Sequence, residues 1–319
     1  MISFNAPLFI SVEMNDESVY KKMLIKSDNS NGLLPSQTLK ALRAYVCENK
    51  PFGISLYGNL QNTNSKDFLE YCYMNDIPLG YDLSCNKSTY DWIISNKNYF
   101  QLFRIVLFSL QSELNDRLFE NNCIEDIMYF VKSDIFFDKG KVIVLPVTTE
   151  NLNEVERIMV FALDNNYKIN PLPLPYDSAI QLGLTPLSYE DYYKLAKKVD
   201  IFYKKYRNSI YLDMPAAAHI FRKQAVCPAF RMSLDIDVVG NIRPCKFSKI
   251  YYKNILHINS IWNEQREKIP IVCKKCDSNA LCAGGCLANG DMTQKCDIYC
   301  KYKNTTDSNI EGGSETMLN

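Results

Sequence analysis

Eight of the twelve cysteines in this 319-residue chain, Cys227, Cys245, Cys273, Cys276, Cys282, Cys286, Cys296 and Cys300, fall between residues 227 and 300. Thiolates are soft ligands, and a dense set of them in a reducing compartment marks a metal site rather than a disulfide scaffold. Two spacings carry the signal. Cys227 is followed by twelve residues, Gly240, four residues and Cys245, and the stretch SLDIDVVGNIRPC reads as a hairpin whose turn Gly240 permits. Further on, Cys273-x2-Cys276-x5-Cys282-x3-Cys286 precedes Cys296 and Cys300. Cysteines two or three residues apart converge on one metal from a single loop, and Gly284 and Gly285 let the backbone come close to it. Eight thiolates make two four-coordinate sites, which thiolate chemistry alone allows to be iron–sulfur or structural zinc. The other four, Cys47, Cys72, Cys85 and Cys123, stand singly; Cys47 and Cys72 lie in helical-looking stretches and read as small buried hydrophobes.

Other chemistry is thinly represented. The two histidines, His219 and His257, do not support a Ser/His/Asp triad, and His257, in YYKNILHINSIW, reads as a partly buried ring satisfied by backbone in preference to an iron ligand. Asp235 and Asp237 alternate along the hairpin strand and are expected on its solvent side. No glycine-rich nucleotide loop is present. The 21 Tyr and 16 Phe are core and rim residues first, some of them suited to lining a groove for an extended peptide.

Lys and Arg number 36 against 36 Asp and Glu, so no net charge draws the chain to nucleic acid or an anionic membrane, and neither is expected as a partner. No apolar run approaches the roughly 18 residues of a membrane span. The first ten residues carry no Lys or Arg, so no signal peptide is expected and a cytoplasmic location follows.

The elements that must position the cysteines begin with short apolar strands near residues 7–14, 52–57, 77–83, 102–110 and 141–147. Between and after them run amphipathic helices over 36–49, 65–75, 88–96, 150–166 and 188–206. Regular alternation implies parallel strands with crossover helices, hence an α/β layer or a full or partial barrel, with its active site at the C-terminal ends of the strands. The proline-bearing segment 169–183 reads as a loop. The domain boundary is placed near residues 210–226, giving a barrel region 1–215, a cysteine-rich region 216–303 and a polar, disordered tail 304–319.

The cysteine pattern resembles the SPASM domain of radical S-adenosylmethionine enzymes, and all seven positions of that signature can be filled. The resemblance implies two auxiliary [4Fe–4S] clusters. One would be held by Cys227, Cys245 and Cys286, the other by Cys273, Cys276 and Cys282 with a terminal Cys296 or Cys300. Cys300, in DIYC, looks like the family's ending, which leaves Cys296 as a fourth ligand for the first cluster; without it that cluster has an open iron. The strand order similarly resembles the family's partial barrel. There, Cys-x3-Cys-x2-Cys follows the opening strand and holds the cluster that cleaves S-adenosylmethionine. Aligned on VEM, those positions are Ser18, Lys22 and Ile25, and no cysteine precedes Cys47. Where the family has Gly-Gly-Glu-Pro, this chain has Gly58-Asn59-Leu60-Gln61. The resemblance therefore implies a degenerate radical-SAM-like partial barrel followed by a small SPASM-like iron–sulfur domain. S-adenosylmethionine is not expected as a cofactor. The function implied is that of a non-catalytic accessory protein of ribosomal peptide maturation, partnered by a peptide or a catalytic radical SAM maturase. An enzyme working through an open auxiliary iron and a zinc-stabilised binding module are the rivals.

Overall fold

The computed structural model describes residues 4–15, 20, 32–63, 65–83, 85, 89–118, 124–136, 138–266, 268–290 and 296–300. Its centre is an eight-stranded sheet: β1 (Phe9–Glu13), β2 (Gly53–Tyr57), β3 (Leu79–Leu83), β4 (Leu102–Val106), β5 (Gly140–Val147), β6 (Lys168–Pro173), β7 (Ser233–Ile236) and β8 (Ile242–Arg243). The spatial order is β6-β5-β4-β3-β2-β1-β7-β8. Every neighbouring pair is parallel except the closing β7–β8 hairpin. Parallel neighbours need crossovers, and these are supplied by helices α1 (Ser36–Asn49), α2 (Lys66–Met74), α3 (Tyr90–Asn96), α4 (Ser112–Leu118), α5 (Ile124–Lys132) and α6 (Val155–Asp164). This is an α/β partial barrel.

The period-two alternation of the strands sorts its two faces. Ile10, Val12, Ile54, Leu56, Phe103, Ile105, Ile143 and Leu145 join the apolar faces of the helices in one large buried cluster. The intervening positions Ser11, Ser55, Asp82, Arg104, Val144 and Asn170 line a cavity on the other side. Register brings these polar positions side by side: Ser11 pairs with Ser55 and Asp235, and Asp82 with Arg104. The outer face thus provides the packing that leaves the inner face available for polar groups.

The hairpin expected between Cys227 and Cys245 is present. Asp235 pairs with Arg243 and Ile236 with Ile242, and Gly240 turns at φ +88° with its amide bonded to the Asp237 carbonyl. β7 also lies parallel beside β1, so the hairpin extends the barrel sheet. The apolar cluster likewise runs without a break from Ile10 to Leu287 and Tyr299. Trp262, on helix α10 (Ile258–Gln265), is fully buried and donates its ring N–H to the Phe4 carbonyl at 2.9 Å, fastening the cysteine-rich region to the start of the chain.

Four readings need correction. Segment 169–183 holds β6 and helix α7 (Tyr176–Gln181) in place of a loop. Pro171 and Pro173 are tolerated because β6 is the last strand of the sheet and has a ladder partner on one side, so a missing N–H costs nothing there. Asp235 and Asp237 are 1% exposed, because that side of the hairpin faces inward: Asp235 accepts from Arg243 and Tyr57, and Asp237, just past the strand, accepts from the Val239 and Asn241 amides. Cys47 is exposed, unlike buried Cys72, and the His257 ring is exposed as well. Cys123, positions 18, 22 and 25 and the tail 304–319 lie outside the described residues. Among the described residues no helix is long and apolar enough to cross a membrane.

Replacing Trp262 with Ala removes the largest fully buried side chain and the hydrogen bond to Phe4. The expected cost is about 3–5 kcal/mol, read as a lower urea midpoint at unchanged slope.

Candidate metal centre and barrel cavity

The cavity framed by the strands has a volume of about 310 Å³ and reaches from the barrel wall to the hairpin cysteines. Asp82, from β3, is its electrostatic centre. Its carboxylate accepts from Arg104 Nη1 at 2.9 Å, from Lys246 Nζ at 2.7 Å and from the Tyr20 hydroxyl at 3.0 Å. Burial by itself would raise the Asp82 pKa, but the two cations outweigh it and hold the carboxyl at about 2. Lys246 also lies 3.8 Å from the centre of the Tyr20 ring and 4.6 Å from that of Tyr57.

A second network adjoins the first. Arg243 donates to Asp235 at 2.9 Å, to Glu13 at 3.2 Å and to the Tyr57 oxygen at 3.0 Å, while the Tyr57 hydroxyl donates to Asp235 at 2.8 Å. Burial is the main influence on Glu13 and lifts its carboxyl to about 7 despite Arg243. At the C-terminal ends of β1 and β2, the Asn15 side chain donates to the Asn59 carbonyl at 2.7 Å and accepts from the Asn59 amide at 2.8 Å. Gly58 makes this tie possible: at φ +107°, a Cβ there would sit 2.5 Å from Asn15 Oδ1.

The eight tail cysteines gather in two places. Cys227, Cys245 and Cys286 line the barrel cavity, and Cys227 and Cys286 share a thiol hydrogen bond. That bond makes one thiol of the pair easier to ionise and the other harder: Cys227 falls to about 6 and Cys286 rises. Burial pushes Cys245 up to about 12. Cys273, Cys276, Cys282, Cys296 and Cys300 line a second, small cavity together with His219. Burial raises Cys273 to about 12, and the four other thiols add to the rise. Cys296 therefore keeps company with Cys273 in the second group. The last segment is held in place by Tyr299, which stacks on Tyr192 of helix α8 (Tyr189–Lys205) at 4.3 Å and donates to the Leu187 carbonyl at 3.0 Å.

Between the two groups lie a buried acid and a buried base. Asp297, 1% exposed, lines both cavities and accepts from the Cys286 and Tyr299 amides at 2.9 and 3.0 Å. Arg231 is 6% exposed, and its Nε has no hydrogen-bond partner among the described residues.

The donor chemistry suits iron–sulfur clusters, and so does the backbone around it. Gly284 and Gly285 turn at φ +95° and +84°, where a Cβ would meet Pro270 at 2.7 Å and Asp297 at 2.3 Å. No group of three His, Cys, Asp or Glu among the described residues closes to single-ion distances. Five thiols around one cavity also exceed what one tetrahedral zinc accepts.

No protein-family model matches the chain, and no curated protein does. Among solved structures, Streptococcus suis SuiB bound to precursor peptide SuiA superposes at TM-score 0.67 with 15% identity, over 94% of this chain and 77% of that one. Native anSMEcpe with bound AdoMet superposes at 0.61 with 17% identity, over 95% of this chain and 97% of that one. Native anSMEcpe with bound AdoMet and Kp18Cys peptide gives 0.64 with 16% identity, over 95% and 98%. The chain thus shares the partial-barrel fold of these structures over nearly all of its length.

Asp82, Arg104, Lys246, Tyr20, Asp297 and Arg231 were not singled out by sequence. A signal did exist for two of them, since Asp82 in LGYDL and Arg104 in LFRIV are charges inside strands that must be buried.

Asp82→Asn strands Arg104 and Lys246 without their carboxylate and is expected to cost about 3–5 kcal/mol in urea denaturation. Glu13 is held above its ordinary value of 4.5, so the native state binds its proton more tightly than the unfolded chain does. Its contribution is present below about pH 4.5 and is lost as pH rises through about 7. Urea midpoints measured from pH 5 to 8 should therefore fall more steeply for the wild type than for Glu13→Gln.

Proposed function

We propose that this chain is an iron–sulfur-binding accessory protein of a peptide-modification system, with a barrel that does not cleave S-adenosylmethionine. One contrast carries the reading: the barrel pairs its own polar centre, while the tail gathers eight thiols around two cavities. Asp82 is saturated by Arg104, Lys246 and Tyr20, and the ends of β1 and β2 are tied amide to amide through Asn15 and Asn59. An asparagine pair offers iron no thiolate and faces an ammonium with no carboxylate. Sequence positions 18, 22 and 25 likewise carry no cysteine.

In this reading Cys227, Cys245 and Cys286 hold one [4Fe–4S] cluster, and Cys273, Cys276, Cys282 and Cys300 the other. Such clusters supply electron transfer or structural cross-linking when bound. The chain's own residues do the rest. The backbone turns at Gly284 and Gly285 bring two cysteine-bearing loops together, and Tyr299 anchors the last ligand segment to α8. The cavity beside the first group receives a peptide or a segment of a maturase. The SuiB structure, which holds its precursor peptide, supports a peptide as that partner.

A second reading is favoured by the arrangement of the thiols. Three face the main cavity and five the small one, so the first cluster would present an iron to the cavity and act on whatever enters it.

Anaerobic reconstitution followed by iron and sulfide counting, together with an assay for reductive cleavage of S-adenosylmethionine, tests the proposal. The expected outcome is a brown protein with two clusters' worth of iron and no cleavage; cleavage that disappears when the clusters are removed overturns it. A colourless, zinc-loaded chain would favour the binding-module alternative. Cys300→Ser should lose iron from one cluster, while Cys296→Ser should retain both, because Cys300 and not Cys296 is the assigned fourth ligand of the second group. A small thiol that alters the electron paramagnetic resonance of the first cluster would mark an exchangeable iron and establish the second reading.

A further inference from the structure

The least accounted-for group in the molecule is the guanidinium of Arg231, four residues beyond Cys227. It is 6% exposed and makes no ion pair with a carboxylate among the described residues. Its Nη1 donates to the Cys227 carbonyl at 3.3 Å and its Nη2 to the Ala283 carbonyl at 2.5 Å. Ala283 is the left-handed residue that ends helix α11 (Asn279–Cys282) and starts the turn toward Cys286. Arg231 thereby straps the loop carrying the first thiol group to the loop carrying the second. Its Nε is buried and unpartnered.

A guanidinium buried without a counter-ion is costly, and its ionisation is already disfavoured by burial. Cys227 in one group and Cys282 and Cys273 in the other are the thiols whose charge, as cluster ligands, would offset this. The guanidinium is thus shared between two cysteine loops, and its Nε–H has no partner among the described residues.

We propose that Arg231 is a positioning residue shared by both iron–sulfur sites: its charge stabilises the reduced form of each, and its Nε–H donates to sulfur at one of them. The inference rests on the iron–sulfur reading above. Reduction adds an electron to a body already bearing thiolate charge, and a fixed cation nearby in a medium of low dielectric favours that step. Hydrogen bonds to sulfur act in the same direction.

The test is a potentiometric titration of the reconstituted protein, followed by electron paramagnetic resonance, in the wild type, Arg231→Gln and Arg231→Lys. The neutral Gln variant should lower the midpoints of both clusters, each by at least a tenfold change in the one-electron constant, about 59 mV. Lys should restore most of that shift, because it keeps the charge. A purely structural strap would change iron content or stability without this charge-dependent pattern. Full iron with unmoved midpoints in the Gln variant overturns the proposal, and movement of one cluster alone overturns the shared role. Should the Gln variant fail to fold, wild-type protein grown on 15N-arginine decides the matter. Nitrogen hyperfine coupling to the reduced clusters that Arg231→Lys abolishes supports the proposal, and its absence from the wild type overturns it. A chain that takes up no iron sinks the iron–sulfur reading and this inference together, whereas a loaded chain with unmoved midpoints sinks the inference alone.

Discussion

Charge removed from water must find its opposite nearby, and the interior of this protein is arranged around three such compensations. Asp82 is met by Arg104 and Lys246, Asp235 and Glu13 by Arg243, and the third, Arg231, is met within the described residues only by the carbonyls of Cys227 and Ala283. The first two lie on the inner face of the sheet, which can accept them because the outer face has already provided the apolar packing. Replacing either network by hydrocarbon would not by itself weaken the fold, since buried ion pairs roughly break even against well-packed apolar groups. What the networks do is fix geometry. A carboxylate with three donors has one arrangement, and Lys246, adjacent to Cys245, is thereby held beside the first thiol group.

The parallel strands were legible because each is a short apolar run that must be buried on both faces, and that signal survives without any knowledge of the partner strands. β6 was illegible for the opposite reason. Its prolines read as loop, and only its place at the end of the sheet, a property of the whole topology, makes them acceptable. The hairpin and its Gly240 turn were legible locally. That β7 would pair with β1, more than two hundred residues away in sequence, was not. The same divide applies to the site. The cysteines announce themselves by type and spacing, whereas Arg231 and Asp297 acquire meaning only when two loops distant in sequence are folded against each other. Asp235 illustrates the cost of local reasoning: alternation predicted a solvent side, but that side of the hairpin faces inward.

The likeness to SuiB and anSMEcpe establishes a shared fold at 15–17% identity, and a fold does not decide a chemistry. What decides it is which polar groups have their needs met by the protein itself. At the strand ends the protein pairs its own polar groups: Asn15 and Asn59 bond to each other, and the Asp82 carboxylate accepts from two cations and a hydroxyl. In the tail it does so only in part. Burial drives Cys245 and Cys273 away from ionisation, Cys227 and Cys286 share a hydrogen bond, and the Arg231 Nε–H has no partner among the described residues. Buried thiols that stay protonated in the free chain are donors that a bound metal would deprotonate and hold, which is the chemistry the iron–sulfur proposal draws on.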